Sequence, residues 1–253
     1  VNAALDELNH YADLTIYNFT EMTRNIGTFT AAGVDLDTSV SAIQGIANVA
    51  AVSGSTSQQA SVAMYQLSQA LASGTVKLQD WNSVVNAGMG GEVFQNALKE
   101  TSELLGTGAA AAIKAEGSFR ESLRTGWLTS EVLTETLKKF TTSGVNEYVA
   151  KYTGLTAEAV DAELEMAKKQ YGEADAIKEA SKALAEKSGK NADEIESVLS
   201  MAKTAEDAAT KVKTFTQLWD TLTEAAQPGW TQTWEITIGD FEEAKELLTS
   251  ISD

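Results

Sequence analysis

Between Asn25 and Val76 the chain carries only two charged side chains, Asp35 and Asp37. Most of the other polar positions in this stretch are Ser, Thr, Gln or Asn, with Ala and Gly between them. A helix at a protein surface normally shows charged residues on its outer face. Small residues let helices approach closely, and amides cost less to bury than ions. We therefore expect helices that are buried on several sides, either within this domain or against other copies of the chain.

The chain contains one proline, Pro228, among 253 residues. Because proline removes a helix hydrogen bond and clashes with the preceding turn, its scarcity favours helices. Only the short segment "TWEITI", residues 233–238, alternates as a strand does. We predict an all-α fold, a compact bundle of short-to-medium helices that has room for one extended helical hairpin. Glycines are expected to divide the first part into short helices, at positions 27, 33, 45, 54, 74, 88, 90 and 91.

Capping residues indicate where several helices begin. Asp37 or Thr38 is expected to cap the helix that contains "SVSAIQGIANVAAV", because either side chain can accept from a free backbone N–H. Ser55, with Gln58 three residues later, has the spacing of a capping box. Further caps and stops are expected at Gly74, Thr129, Thr156, Gly172, Asn191 and Asp240. Lys138 and Lys139 are expected in the last turn of the helix that begins at Thr129, where the helix dipole favours cations, and residues 191–203 and 204–226 are expected to form two helices.

The uneven distribution of charge suggests three regions. Residues 1–145 form a low-charge helical core, and residues 146–226 form a charged helical segment rich in Glu, Lys and Ala. Residues 227–253 contain a Trp-rich turn and a helix that we expect to pack back on the core. No heptad pattern is sustained, so a long coiled coil is not predicted.

The composition also argues against several classes of function. The net charge of −17 would repel phosphate backbones, so we expect no nucleic-acid partner. The chain has no cysteine, which leaves no disulfide and no thiolate metal site. No run of about 20 apolar residues occurs, so we expect no membrane span. Because the first residue is Val1, we interpret the chain as a fragment of a longer protein.

Few residues qualify as catalytic candidates. His10 is the only histidine, and a lone histidine is more often a packed or exposed side chain than a base. Asp80 and Glu92 are the acids of interest in the low-charge half, but both fit the first turn of a helix, where negative charge is favourable. "GMGGEVF", residues 88–94, resembles a phosphate-binding loop, yet a turn between two helices explains it better. We assign no catalytic, cofactor-binding or metal-binding residue, and we predict no enzyme activity.

Trp81 is predicted to be more than half buried and to anchor its helix against Tyr65 or Val62.

Three segments resemble the tape measure proteins of long-tailed bacteriophages and prophages. The most specific is "AMYQLSQALASGTVKLQDWNSVVNAGMGG", residues 63–91, within a similarity that extends over residues 17–100. The other two are "GWLTSEVLTETLKKF", within residues 120–140, and "GWTQTWEITIGDFEEAKELL", within residues 227–248. The stretch of charged helix between residues 147 and 226 is not diagnostic.

The resemblance implies a structural role. Tape measure proteins are long, mostly helical templates around which tail tube subunits polymerise, and they leave the tube ahead of the DNA during infection. The implied partners are the tail tube protein, tail assembly chaperones and baseplate or distal tail proteins, together with self-association. The implied locations are the virion tail and, during assembly, the host cytoplasm. Two alternatives remain: a peptidoglycan-cleaving hydrolase domain that uses two carboxylates, and a generic helical protein-interaction module.

Overall fold

The computed structural model describes residues 2–17, 19–31 and 33–225, with side chains described between residues 4 and 211 except at positions 18, 19, 21 and 32. Within these residues the chain is all-α and contains no strand beyond one isolated bridge between Thr75 and Thr129. The helices are α1 (Asn2–Leu14), α2 (Phe19–Ala31), α3 (Leu36–Val52), α4 (Ser57–Ser73), α5 (Leu78–Asn86), α6 (Glu92–Leu105), α7 (Ala109–Glu116), α8 (Phe119–Ser122, followed by a 3-10 turn Leu123–Thr125), α9 (Ser130–Lys138), α10 (Val145–Thr153), α11 (Ala157–Tyr171), α12 (Ala176–Ser188) and α13 (Ala192–Ala225).

Helix α3 lies at the centre of the first part of the fold. It packs against α1, α2, α4 and α9, and every side chain from Ser39 to Ala51 except Ser41 is buried. Beyond the exposed Asp37 in its first turn this helix carries no charge, because an ion at one of the enclosed positions would lose its hydration. The buried Asn48 is satisfied, because its Oδ1 accepts from Tyr11 and its Nδ2 donates to the Phe140 carbonyl, each at 2.6 Å. The expectation of burial within the domain is confirmed for α3.

The helices α1–α9 form one hydrophobic cluster around α3, which we call the first core. A row of aromatic rings runs through this cluster. Trp81 lies 6.0 Å from Phe94 and 4.8 Å from Phe119, measured between ring centroids. The row continues from Phe94 to Phe140 at 6.0 Å and from Phe119 to Trp127 at 5.4 Å. Contacts of this kind stabilise the fold beyond the hydrophobic gain from burying the rings.

The predicted burial of Trp81 is confirmed, since the residue is 2% exposed. The predicted partners are wrong. Tyr65 is 50% exposed and Val62 is 51% exposed, on the outer face of α4. The helical period places Met64, Leu67 and Leu71 toward the core instead, and the rings that contact Trp81 come from residues later in the chain.

The second core is smaller and aliphatic. It contains side chains from α10, α11, α12 and the first turns of α13, among them Val149, Val160, Leu184 and Ile195. Helix α13 then continues to the first core, where Ala205 and Ala209 are buried. Residues 191–203 and 204–226 read as two helical segments in the sequence. They form one continuous helix as far as Ala225, because no glycine or proline interrupts them.

The predicted caps at Thr129 and Thr156 are confirmed, as each hydroxyl accepts from the backbone N–H three residues later. The Oδ1 of Asn191 likewise accepts from the N–H of Asp193, at 2.8 Å. Left-handed Gly74 ends α4, and Gly172 ends α11. The predicted cap Asp240 and the segment "TWEITI" lie outside the described residues.

Two predicted caps are wrong by one to three positions. Helix α3 is capped by Asp35, not by Asp37 or Thr38, because the extended backbone at Asp35 lets its carboxylate accept from the Thr38 N–H. The capping box of α4 joins Thr56 and Gln59 rather than Ser55 and Gln58. The Ser55 side chain is buried and donates instead to the Ala87 carbonyl at 2.6 Å, a contact that fixes the turn after α5.

Two of the glycines expected to break helices lie inside them. Gly27 is exposed within α2, with no neighbouring atom near the position of a Cβ. Gly45 lies in the middle of α3, where a Cβ would come 2.6 Å from the Leu137 carbonyl oxygen. Gly45 is therefore a site of close helix approach between α3 and α9, and not a helix end.

By its contacts the chain divides into a first unit, residues 1–211, and a second unit, residues 212–253. Of the second unit, only the backbone of α13 to Ala225 is described. None of the described helices combines the length and the hydropathy that a bilayer-spanning segment requires.

Candidate functional site

The three acid–base candidates from the sequence lie on different helices. His10 is exposed on α1. Asp80 lies in the first turn of α5, where its carboxylate accepts from the Lys77 backbone N–H at 2.8 Å. Glu92 is exposed at the first position of α6. Both acids therefore stabilise helix N-termini, as their sequence context predicts, and no hydrogen bond or ion pair among the described residues joins any two of the three candidates.

The glycine-rich segment "GMGGEVF" forms the turn between α5 and α6. Gly88 has a left-handed backbone with φ +79°. A Cβ at Gly90 would come 2.5 Å from the Cγ2 of Val85, so this position also requires glycine. Because the preceding element is the helix α5 rather than a strand, the interpretation as an interhelical turn is confirmed.

Three side chains with shifted pKa values, Lys139, Tyr148 and Tyr152, line a cavity of about 630 Å³ where α6, α10 and the start of α13 meet. We call it the tyrosine cleft. Its lining residues from α6 are Glu100, Glu103 and Leu104, and those from α9 and α10 are Lys139, Tyr148 and Tyr152. The far side comes from the α12–α13 loop and α13, with Lys190, Glu194, Ser197 and Val198.

The floor of the cleft holds a buried lysine. The side chain of Lys139 has no exposed surface, and its Nζ lies 2.5 Å from Oε2 of Glu100. The same Nζ sits 5.1 Å from the centroid of the Tyr148 ring, within the range of a cation–π contact. Burial lowers the pKa of Lys139 below the ordinary lysine value, and the hydrogen bond and charge of Glu100 offset part of that effect.

Tyr148 is also buried, and it accepts a hydrogen bond from Thr101 at 3.4 Å. Loss of hydration raises the pKa of its phenol to about 12. This follows because a phenolate in that position would be poorly solvated. Tyr148 therefore offers a neutral ring face to the Lys139 ammonium throughout the physiological pH range.

The mouth of the cleft repeats this arrangement near solvent. The Tyr152 hydroxyl donates to the Glu194 carboxylate, and the Nζ of Lys190 lies 5.2 Å from the Tyr152 ring centroid. Desolvation and the bond to Glu194 raise the pKa of Tyr152. Lys190 is exposed and makes no ion pair with any described residue.

The sequence analysis did not identify this site. In the sequence, Lys138 and Lys139 are interpreted as cations that favour the C-terminal end of a helix. That interpretation is sufficient for Lys138, which pairs with Glu135 at 2.9 Å and with Glu147 at 2.7 Å. A signal for Lys139 exists in the helical period, since Val132, Thr136 and Lys139 recur on the buried side of α9. The partners Glu100 and Tyr148 follow no local pattern.

A second concave surface lies between α2 and α4, within the neutral stretch and at its edge. Its volume is about 650 Å³, and Arg24 is its single charged lining residue among those described. Val62 and Tyr65 supply the exposed apolar surface. The remaining lining residues are Asn25, Ser57, Gln58 and Ser61.

The described residues contain no group of three or more His, Asp or Glu side chains arranged to hold a metal ion. In the tyrosine cleft two carboxylates already bind protein groups: Glu100 forms an ion pair with Lys139, and Glu194 accepts a hydrogen bond from Tyr152. The arrangement is suited to holding cations against ring faces.

A sequence profile described as tape measure protein matches residues 1–161, which is more than half of the chain. The match includes the first two resembling segments, residues 17–100 and 120–140, whereas the third, residues 227–248, lies outside it. It also includes the first core up to Phe140 and one wall of the tyrosine cleft. No curated protein and no solved structure matches the chain. The chain belongs to the tape measure protein family, whose members are structural proteins of phage tails.

Proposed function

We propose that this chain is the segment of a phage tape measure protein that takes part in setting tail tube length during assembly and is released during genome ejection. The observation that carries the proposal is the family match over residues 1–161. The fold supports it, since the neutral helices of the matched region are devoted to packing around α3.

The proposed partners are the tail tube protein, the tail assembly chaperones and the baseplate or distal tail proteins. The neutral groove between α2 and α4 supports such contacts, because an exposed surface that carries Val62, Tyr65 and a single charge is cheap to dehydrate. The same surface is where we place any self-association. The proposed locations are the host cytoplasm during assembly and then the virion tail, with neither nucleic acid nor membrane as a partner of this segment.

We further propose the division suggested by the charge distribution. Residues 1–145 act as the family-specific core, residues 146–226 act as a charged helical extension, and residues 227–253, outside the described residues, pack back on the core. Limited proteolysis followed by mass spectrometry tests this division. Cleavage clustered near residues 145 and 226 is expected, and cleavage concentrated inside residues 1–145 would contradict it.

The templating role is tested by changing the length of the chain inside the phage. An in-frame duplication of the 34 residues of α13 adds at most about 51 Å of helix, at 1.5 Å per residue. Electron microscopy of tails from the duplicated phage is expected to show tubes that are longer by up to that amount. Tails of normal number and unchanged length would contradict templating by this segment.

The hydrolase alternative would place its two carboxylates in the tyrosine cleft. A glycosidase needs one carboxyl group that stays protonated in apolar surroundings. Glu100 is instead 62% exposed and bonded to the Lys139 ammonium, so it lacks the apolar surroundings that such an acid needs. We therefore propose a non-catalytic role. Incubation of the purified chain with peptidoglycan is expected to release no soluble fragments, and release that is lost in Glu100→Gln or Glu194→Gln would overturn this view.

A generic interaction module differs from a tape measure segment in the partners that it binds. Co-purification from cells that express the phage tail genes is the direct comparison. We expect the tail tube protein or an assembly chaperone in the complex. Recovery of the chain with host proteins, and with no tail protein, would favour the generic module.

A further inference from the structure

We propose that the tyrosine cleft is a binding site for a basic side chain, lysine or arginine, of a partner protein. The site would hold the ligand cation against the Tyr152 ring and beside the Glu194 carboxylate. It lies outside anything that the tail-length role requires, so either proposal can fail without the other.

The first argument is that the cleft contains the same cation-binding unit twice. Tyr148 and Tyr152 are four residues apart on α10 and therefore lie on the same face of that helix. Each ring has a lysine ammonium over its face, Lys139 at 5.1 Å and Lys190 at 5.2 Å. Each unit also includes a carboxylate, Glu100 bonded to Lys139 in the first and Glu194 bonded to the tyrosine hydroxyl in the second. A tyrosine face beside a carboxylate is suited to ammonium and guanidinium groups.

The second argument is that only one of the two units is permanently filled. Lys139 is fully buried and ion-paired, so it belongs to the structure of the core. Lys190 comes from the short loop between α12 and α13, is exposed, and has no ion pair among the described residues. An exposed cation–π contact contributes only about 0.5–1 kcal/mol. Lys190 therefore behaves as an internal occupant that a better-placed external cation can displace.

The third argument is the charge and shape of the space that remains. With Lys190 withdrawn, the charged lining consists of Glu100, Glu103 and Glu194 against Lys139, which leaves two net negative charges. The cavity of about 630 Å³ has room for a long side chain. Leu104 and Val198 add apolar surface, against which the aliphatic stem of lysine or arginine can pack while its charged end reaches the ring.

The fourth argument concerns the direction of approach. The chain has a net charge of −17, so its field attracts basic surfaces and repels acidic ones. Arginine suits the site particularly well, because its planar guanidinium can stack on the Tyr152 ring while it donates to Glu194. A basic protein surface is therefore the favoured partner.

The experiment is a titration of the ¹⁵N-labelled chain, followed by amide chemical shifts. The probe is the peptide acetyl-Leu-Lys-Leu-Lys-amide, and the control probe is the same peptide with both lysines acetylated at Nε. We expect saturable shifts in α10 and in the α12–α13 loop with the charged peptide and none with the acetylated one. Equal shifts with both peptides, or shifts confined to other helices, would overturn the proposal.

Variants make the test specific to the cleft. Lys190→Ala is expected to tighten binding of the charged peptide about two- to fivefold, because it removes the internal competitor at the cost of one exposed cation–π contact. Lys178→Ala, which removes an exposed lysine from α12 outside the cleft, is the matched control and is expected to change nothing. Binding that is unchanged or weaker in Lys190→Ala would contradict displacement.

Loss of the site is tested by Tyr152→Leu and Glu194→Gln. Both are expected to weaken binding, Tyr152→Leu by removing the ring and Glu194→Gln by removing the charge. Far-ultraviolet circular dichroism and the melting temperature verify that each variant is folded. If both folded variants bind the charged peptide as the parent chain does, the cleft is not the site.

Discussion

The helices of the two hydrophobic cores differ in how much charge they carry, and in both cores the hydration of charged side chains explains the amount. In the first core, α3 packs against four helices, and after the exposed Asp37 of its first turn it has no outer face on which a charge could remain hydrated. In the second core, α11 and α12 each have an exposed side, and they carry ion pairs there, such as Lys168–Glu165 at 2.9 Å and Lys182–Glu179 at 2.6 Å. The number of faces that a helix buries therefore decides how much charge its sequence can hold.

The cores also differ in what fills them. The first contains a row of five aromatic rings and fully buried alanines, whereas the buried members of the second are short aliphatic side chains. Close helix packing in the first core depends on residues without side chains at the contact, as at Gly45. The predicted effects of mutation differ accordingly.

The largest effect is expected for Trp81→Ala in the first core. Removing a buried indole that contacts Phe94 and Phe119 should cost about 3–5 kcal/mol of unfolding free energy. The matched control is Tyr65→Ala, at a half-exposed ring on α4, with an expected cost of about 0.5 kcal/mol or less. Urea denaturation followed by circular dichroism gives both values. Similar losses in the two variants would show that the ring row does not dominate the first core.

The next effect concerns the glycine at the contact between α3 and α9. Gly45→Ala places a methyl group 2.6 Å from the Leu137 carbonyl oxygen and should destabilise the fold by about 1–3 kcal/mol. Gly27→Ala, at an exposed mid-helix glycine with open space around it, should stabilise by about 0.5–1 kcal/mol. The two substitutions are chemically identical, so thermal unfolding midpoints that move in the same direction would refute the close approach.

A pH effect is expected at the boundary between the cores. Burial raises the pKa of Tyr148 to about 12, from an unfolded value of 10.0, so the unfolded chain loses this proton first. Stability should therefore fall between these two pH values by about 1.4 kcal/mol per pH unit for this one proton. The lowered pKa of Lys139 acts oppositely, adding stability as the pH rises from that lowered value towards 10.5, where the unfolded lysine titrates.

Urea unfolding of Tyr148→Phe measures the tyrosine contribution separately. The variant keeps the ring over which Lys139 lies. The fall of its unfolding free energy with pH above pH 10 should be less steep, by the contribution of about one proton. An unchanged slope above pH 10 would indicate that the Tyr148 hydroxyl is hydrated in the folded chain.

The smallest effect is expected on the exposed side of the second core. Lys182→Ala removes an exposed pair with Glu179 that salt screens and that side-chain entropy opposes. We expect no measurable change in the unfolding midpoint at physiological salt. A marked, salt-dependent loss of stability would show that surface charge does more than keep α12 soluble.

The sequence predicts the first core better than the site. The neutral stretch predicts the burial of α3, and the local spacing of Thr129 and Thr156 predicts two helix starts. The cap of α4 is displaced by one residue because Ser55 and Thr56 are both competent caps. The choice depends on the Ala87 carbonyl, which is 32 residues away from Ser55.

The tyrosine cleft could not be predicted in the same way. Its parts come from α6, α9, α10 and α13, and the ion pair between Lys139 and Glu100 spans 39 residues. Helix-dipole reasoning accounts for a lysine at the end of α9 without requiring its burial. Only the tertiary arrangement shows that two tyrosines on one face of α10 both lie beneath cations.

Helix α13 has a mechanical consequence. Its residues Ile195 and Ala209 are anchored in different cores, about 21 Å apart along one uninterrupted backbone at 1.5 Å per residue. A force applied at either residue is transmitted along the helix through consecutive backbone hydrogen bonds, because no loop that could extend lies between Ile195 and Ala209. Under tension the two cores are therefore expected to yield together, as one rupture event rather than two.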